Sequence, residues 1–176
     1  MEQLILVGTS GLAKEIVNFI ECYQLFEVIG FTVNKPYIKE DTYMDKPVYP
    51  IEELEKVVSK DSVKLFSTVS WYNYLNRARK AKYDELKEKG FVFANLISPN
   101  ALLYTDKIGE GNWIHDFAHI GYEVQIGNNN IVRMNTTISH YSIIGNHNTL
   151  IGGTTIGGHV ICGDCSFFGA NSTVFN

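Results

Sequence analysis

The 176-residue sequence lacks any apolar run near the roughly 18 residues that a membrane-crossing helix needs. Cysteine is scarce and odd in number, three residues at Cys22, Cys162 and Cys165, so no complete disulfide framework is expected. No basic stretch precedes the short apolar Leu4–Val7, and Gly8-Thr9-Ser10-Gly11 follows it at once, so no signal peptide is expected. Together these absences point to a reducing compartment, the cytoplasm. Basic residues are not in excess: 15 Lys and Arg against 19 Asp and Glu leave a net charge of −4, which argues against a general nucleic-acid binder. Charged residues make up only 19% and apolar ones 45%, a composition neither disordered nor membrane-like. Glycine is nearly missing from the first hundred residues, which hold only Gly8, Gly11, Gly30 and Gly90, whereas the other 11 of the 15 lie between Gly109 and Gly169. The character of the chain therefore changes near residue 100. A boundary at Ser98-Pro99-Asn100 divides it into an expected domain at 1–98 and another at 99–176.

The glycine-rich part repeats with a period of six. Leu102, Ile108, Ile114, Ile120, Ile126, Val132, Ile138, Ile144, Leu150, Ile156, Cys162, Phe168 and Val174 are all apolar. Glycine follows at 109, 121, 127, 145, 157, 163 and 169. Four residues after the anchors the side chain is usually short, as at Asn112, Ala118, Asn130, Thr136, Ser142, Asn148, Thr154, Ser166 and Ser172. Helices need apolar recurrence near 3.6 and flat strands near 2, so neither accounts for six. Short strands separated by tight bends do, with the large aliphatic residue inward and glycine tolerating the bend. Three hexads then complete one turn of a parallel solenoid, with room for about four turns from 102 onward.

The first hundred residues alternate strands and helices. Gln3–Val7 predicts a buried parallel strand, and apolar residues at 12, 16, 19, 20 and 23 predict a helix with Ser10 at its N-cap. Val28–Val33 and Lys64–Val69 predict further strands, Pro50 opens a short helix, Asn73–Lys89 predicts a longer helix stopped by Gly90, and Phe91–Ile97 predicts a last strand. Such alternation implies a small parallel α/β layer. Free N–H groups at the start of the first helix favour an anion, although Ala13 stands close to where a full GxGxxG pattern has its third glycine, and a tight turn without a ligand fits equally well. The basic stretch Arg77-Ala78-Arg79-Lys80-Ala81-Lys82 is followed by Asp84, Glu85 and Glu88, which predicts a solvated helix face.

The Ile-Gly-x-x-small-x pattern resembles the left-handed parallel β-helix of hexapeptide acyltransferases. With a Rossmann-like parallel layer before it, the whole chain resembles bacterial sugar acetyltransferases that modify sialic acid or nucleotide-linked amino sugars. That resemblance implies an acetyl-CoA-dependent transferase, a nucleotide-sugar substrate and a homotrimer. It implies that Gly8, Ser10, Gly11 and Leu12 hold the nucleotide, and that Thr32 and Asn34, in Phe31-Thr32-Val33-Asn34, read it where the family often has acidic residues. It implies that Thr149, Gly158 and Ala170 line acetyl-CoA.

Acyl transfer needs a base beside the nucleophile. All five histidines lie between 115 and 159, none in HExxH spacing, and Cys162 and Cys165 lack a second CxxC, so no metal site is expected. His140, in Ile138-Ser139-His140-Tyr141-Ser142-Ile143-Ile144-Gly145, matches the family segment bearing the catalytic histidine, with Tyr141 where an orienting acid often stands. The phase of the repeat predicts that Ile126, Ile138, Ile144 and Ile156 are buried and that Asn129, Asn146 and His147 are exposed. The sequence stops mid-pattern at Asn176, which predicts a shortened solenoid or one whose last coil is covered by a partner. N-acetylation of a nucleotide-linked deoxy sugar for surface glycans is the expected activity; O-acetylation of a sugar hydroxyl and a non-catalytic scaffold are the rivals.

Overall fold

The computed structural model describes residues 1–69 and 75–176. Contacts gather the chain into two compact units, Met1–Ser70 with Ala81–Ala94, and Trp71–Lys80 with Asn95–Asn176.

In the first unit, strand β1 (Gln3–Val7) is apolar and fully inside from Leu4 onward. It lies between β2 (Glu27–Val33) and β5 (Val63–Ser67), parallel to both. Helix α1 (Gly11–Tyr23) buries Ala13, Ile16, Val17, Phe19 and Ile20 along one stripe and ends at Gln24 in the left-handed region. A hairpin of β3 (Thr42–Tyr43) and β4 (Lys46–Pro50) extends the sheet to the order β3-β4-β2-β1-β5. The sequence offered no Asn-Gly signal for this hairpin; Met44 and Asp45 supply its turn at φ 50° and 59°. A 3₁₀ turn at Ile51–Glu53 runs into the short helix α2 (Leu54–Val57). Ile5, Val7, Ile51, Leu54, Leu65, Tyr83, Leu86, Phe91 and Phe93 form the core. The expected helix from Asn73 begins outside the described residues; among those described, α3 spans Arg77–Glu88, with Gly90 closing it at φ 86°. Nor is Phe91–Ile97 one strand. Phe93 makes an isolated bridge to Leu65, while Leu96–Ile97 already pairs with Trp113–Ile114 in the repeats.

The second unit is a parallel β-solenoid of two-residue strands. One face stacks Leu96–Ile97, Trp113–Ile114, Ile131–Val132, Thr149–Leu150 and Phe167–Phe168. The next stacks Leu102–Leu103, His119–Ile120, Thr137–Ile138, Thr155–Ile156 and Thr173–Val174, and the third Gln125–Ile126, Ile143–Ile144 and Ile161–Cys162. The inward anchors from Ile114 to Cys162 are all buried in one continuous cluster. Leu102 is not among them. Leu96 pairs with Trp113 and Leu102 with His119, a step of 17, whereas later coils step by 18, as from Ile131 to Thr149. The shorter first coil makes Leu103 the inward residue opposite Ile120 and leaves Leu102 55% exposed.

The bends are not where the glycines are. From Gly111 to Asn171 a left-handed residue recurs at every sixth position, and only Gly111 and Gly153 in that series are glycine; Phe117, Glu123, Asn129, Asn135, Tyr141, His147, His159, Cys165 and Asn171 take the same conformation. The glycines after the anchors serve close approach instead. A Cβ on Gly109, Gly127 or Gly145 would sit 2.7, 2.7 or 2.8 Å from the carbonyl oxygen of the matching glycine one coil on. Two amide ladders bind the coils along one corner. Asn112, Asn130, Asn148 and Ser166 donate their backbone N–H to the side-chain oxygen of Asn95, Asn112, Asn130 and Asn148, at 2.7–2.9 Å. Beside it Glu110, Asn128 and Asn146 donate to Asn128, Asn146 and Asp164, at 2.6–2.9 Å. Among the described residues no helix is long and apolar enough to cross a membrane.

Candidate functional site

His140 stands at the corner between the second and third solenoid faces, and its side chain is exposed. Its backbone is held from the next coil, where the His159 N–H donates to the His140 carbonyl at 3.1 Å. The imidazole leans over Gly158: a Cβ there would lie 2.8 Å from His140 Nε2 and 2.9 Å from Cε1. The rings of Tyr141 and His159 meet it edge to face, with centroids 5.7 and 5.4 Å away. They stack on each other at 5.2 Å, and Tyr122 adds a further edge contact to Tyr141 at 5.7 Å. The structure thus brings His140 and Gly158 together. Thr149 and Ala170 lie elsewhere: Ala170 is exposed at the corner between the first and second faces, and Thr149 is buried on the first face. The Thr149 hydroxyl donates to Asn76 Oδ1 at 2.7 Å and accepts from Arg79 at 3.2 Å, so it presents no surface to a coenzyme.

Arg79 overturns the expectation of a solvated helix face. Its guanidinium is buried in the second unit, donating through Nη1 to Asn76 and Thr149 and through Nη2 to the carbonyls of Asn129, His147 and Asn148 at 3.1–3.2 Å. These acceptors are neutral, and burial pulls its pKa down to about 9. The same contacts bury Asn129 and His147, both expected to be exposed, and the Asn129 side-chain amide meets His147 Nδ1 at 2.9 Å. Asn146 is half-buried, while Ile126, Ile138, Ile144 and Ile156 are buried as the repeat phase predicts. Cys162 fills an inward position, where burial raises its thiol pKa. Among the described residues no three His, Cys, Asp or Glu side chains are placed to hold a metal.

In the first unit, Gly8 and Ser10 lie in the turn from β1 into α1, and Gly11 and Leu12 are the first two residues of α1. Gly8, at φ 115°, donates its N–H to the Thr32 carbonyl at 2.9 Å, and a Cβ on it would strike Thr68 Oγ1. Ser10 occupies the N-cap position, but its hydroxyl donates to the Thr68 carbonyl at 3.2 Å rather than capping the helix. Gly11 is exposed and has open space where a Cβ would go. Thr32 does not fit a nucleotide-reading role, because its buried hydroxyl donates to the Tyr49 carbonyl at 2.9 Å. Asn34 does remain at the surface. It donates to Glu52 at 3.0 Å and accepts from Lys82 at 2.7 Å, and this hydrogen bond to Asn34 is the first cause holding the Glu52 pKa below its ordinary value. A carboxylate from a remote turn thereby stands next to Asn34. Pattern reading missed a cavity of about 380 Å³ lined by Thr9, Tyr37, Lys39, Thr42 and Tyr43. Tyr43 donates its hydroxyl to the Ser10 carbonyl at 3.2 Å, which joins the cavity wall to the loop. The hairpin that builds that wall carried no sequence signal.

The family model described as "Bacterial transferase hexapeptide (six repeats)" matches residues 107–140. No curated protein sequence matches the chain significantly. Among solved structures, a histidine-to-alanine variant of GDP-perosamine N-acetyltransferase from Caulobacter crescentus, in complex with CoA and GDP-perosamine, is 19% identical. The match covers 99% of this chain and 89% of that one, with a TM-score of 0.62. The acetyltransferase domain of PglB from Neisseria gonorrhoeae, in complex with acetyl coenzyme A, is 18% identical over 99% and 96% of the two chains at a TM-score of 0.55. WeeI from Acinetobacter baumannii is 15% identical over 93% and 73%, at 0.53. The resemblance read from the hexads is thereby borne out: residues 107–140 carry the bacterial transferase hexapeptide repeat, and the chain as a whole shares its fold with bacterial acetyltransferases that include a GDP-perosamine N-acetyltransferase.

Proposed function

We propose that the protein is an acetyl-CoA-dependent N-acetyltransferase acting on an amino group of a nucleotide-linked deoxy sugar, for surface glycan synthesis. The observation that carries this reading is His140: an exposed imidazole seated over a side-chain-free Gly158 at a corner of a hexapeptide solenoid. The likeness to a GDP-perosamine N-acetyltransferase whose histidine variant holds CoA and GDP-perosamine supports it. In this reading the solenoid is left-handed and the first unit is a Rossmann-like layer that holds the nucleotide. His140 accepts a proton from the sugar amine as the nitrogen bonds to the acetyl carbon, and the coenzyme thiolate departs. Backbone N–H donors stabilise the charge that gathers on the thioester oxygen.

The proposed nucleotide contacts are Gly8, Ser10, Gly11, Leu12 and Asn34, the N–H groups at the start of α1 facing the phosphates. Gly158 and Ala170 stay as the coenzyme candidates. The reading includes a homotrimer in the cytoplasm, where the free cysteines stay reduced. Release of coenzyme thiol is measured with nucleotide-linked amino sugars and with sialic acid. Acetylation of an amine by the wild type, reduced about 10² to 10⁴ fold in kcat by His140→Ala, is expected. Transfer to a hydroxyl alone makes the enzyme an O-acetyltransferase, and no turnover with any acceptor overturns the reading. A monomer by light scattering at micromolar concentration removes the trimer.

A further inference from the structure

We propose that the His140 imidazole is set in place by a seat made of Gly158, Tyr141 and His159, so that a pair of stacked rings positions the base. The proposal rests on the N-acetyltransferase reading of the same corner. Tyr141 and His159 stand one coil apart, at φ 57° and 59°. The left-handed conformation costs a residue with a Cβ roughly 1–2 kcal/mol, and glycine or asparagine bears it most easily. Asparagine fills the equivalent bends at 129, 135 and 171, whereas this corner places two large rings there in succession. Their planes lie within 20° of parallel, and each stands nearly perpendicular to His140, at 85° and 89°. Edge-to-face and stacked pairs of this kind are directional attractions beyond simple burial. Tyr122 buttresses Tyr141 through an 85° edge contact and accepts the Tyr141 N–H at its carbonyl, 3.0 Å away.

Gly158 completes the seat. The space its missing Cβ leaves is taken by the imidazole itself, so any side chain there drives the ring off the corner. No carboxylate is needed to fix the ring direction in this arrangement. Tyr141 and His159 act through His140, as positioning residues.

The test combines steady-state kinetics with ring-proton NMR of His140, assigned by its loss in His140→Ala. Tyr141→Leu and His159→Ala each lower kcat about 10- to 100-fold, the range expected when a reacting group is displaced by about 1 Å. Both leave KM for either substrate within about two-fold. Tyr141→Phe restores wild-type kcat, because the ring and not the hydroxyl is used. The double variant Tyr141→Leu/His159→Ala is no worse than either single one. The His140 ring-proton shift moves toward that of a free histidine in Tyr141→Leu and stays put in Tyr141→Phe. Gly158→Ala folds and moves the His140 signal as well. Unchanged kcat in Tyr141→Leu, with His140→Ala inactive, overturns the proposal. If the wild type transfers no acetyl group at all, the N-acetyltransferase reading fails instead. The NMR shifts then decide the seat alone, and a His140 signal identical across all variants overturns it.

Discussion

Replacing Arg79 by lysine keeps the positive charge and removes the fork. In the wild type, five neutral acceptors surround the two terminal nitrogens. Those nitrogens carry four N–H groups, one shared between acceptors, and an ammonium has three, so at least one acceptor loses its partner. A hydrogen bond to a charged group contributes about 1.5–3 kcal/mol, which sets the least loss at about 1.5–3 kcal/mol near pH 7 while the ammonium stays charged. It need not stay charged. Burial takes the arginine from 12.5 to about 9. The same burial holds the substituted amine below its ordinary lysine value of about 10.4. Between its lowered folded value and about pH 10 the unfolded chain of the variant then binds the extra proton, so its stability rises with pH, by at most about 1.4 kcal/mol per unit. The wild-type guanidinium is charged in both states up to about 9 and adds no slope below that. Urea titrations at pH 7, 8 and 9, followed by tryptophan fluorescence, give the comparison. Trp113 is buried in the second unit, so its signal follows the unit that holds Arg79. The variant should lose about 1.5 kcal/mol or more at pH 7 and less at pH 9, relative to wild type at the same pH. A difference below about 0.5 kcal/mol, the size of an ordinary surface substitution, would refute the buried fork. So would a loss that does not change with pH.

Gly127→Ala should destabilise by about 1–3 kcal/mol, the usual cost of overpacking, because its Cβ would meet the Gly145 carbonyl oxygen; Gly163→Ala, with nothing within 4 Å, should be near neutral in the same urea titration. Asn34→Ala should raise the Glu52 pKa, read by carboxyl NMR. Since the folded carboxylate titrates below its ordinary value, the stability it contributes is present above that value and fades as pH falls through the folded pKa, and the variant should show a weaker dependence. Gly11→Asp should fold normally, since its Cβ position is open, yet weaken sugar-nucleotide binding at least ten-fold by calorimetry, as an anion then faces the phosphates; unchanged affinity would remove the loop from the nucleotide site.

The solenoid was legible because its inward residues recur at a period that only a coiled prism satisfies. The slip from Leu102 to Leu103 was not, because one residue is dropped from the first coil and the apolar pair Leu102-Leu103 fits either phase. Glycine drew attention to the wrong corner residues. The left-handed bends are imposed by backbone bonds between coils, such as Tyr141 N–H to the Tyr122 carbonyl, so Tyr, His, Phe and Cys are carried into them. Arg79 was hidden for a different reason. A helical stretch rich in Arg and Lys reads as solvated, and its carbonyl partners lie 50 to 69 residues away in sequence. His140 was singled out by its match to a family segment, and Tyr141 follows it in sequence, but His159 and Tyr122 come from adjacent coils that no local pattern links. Glu52 reaches Asn34 across 18 residues, so an acid absent after β2 in sequence is present there in space.

The two amide ladders run in opposite directions. In one, each side-chain carbonyl points toward the next coil, from Asn95 through Asn148; in the other, from Asn128 through Asp164, each points toward the preceding coil. Side by side along one edge of the prism, the amides of Asn128 and Asn146 oppose part of the dipole of the four in the other ladder, and Asp164 adds a carboxyl group. A helix of comparable length ends in partial charges that draw ions to its tips. A prism edge stitched in this antiparallel way builds a smaller axial dipole than one stitched in a single direction, so a charged molecule approaching the coils meets individual side chains such as Asp164, and N–H groups, more than a field of the rod.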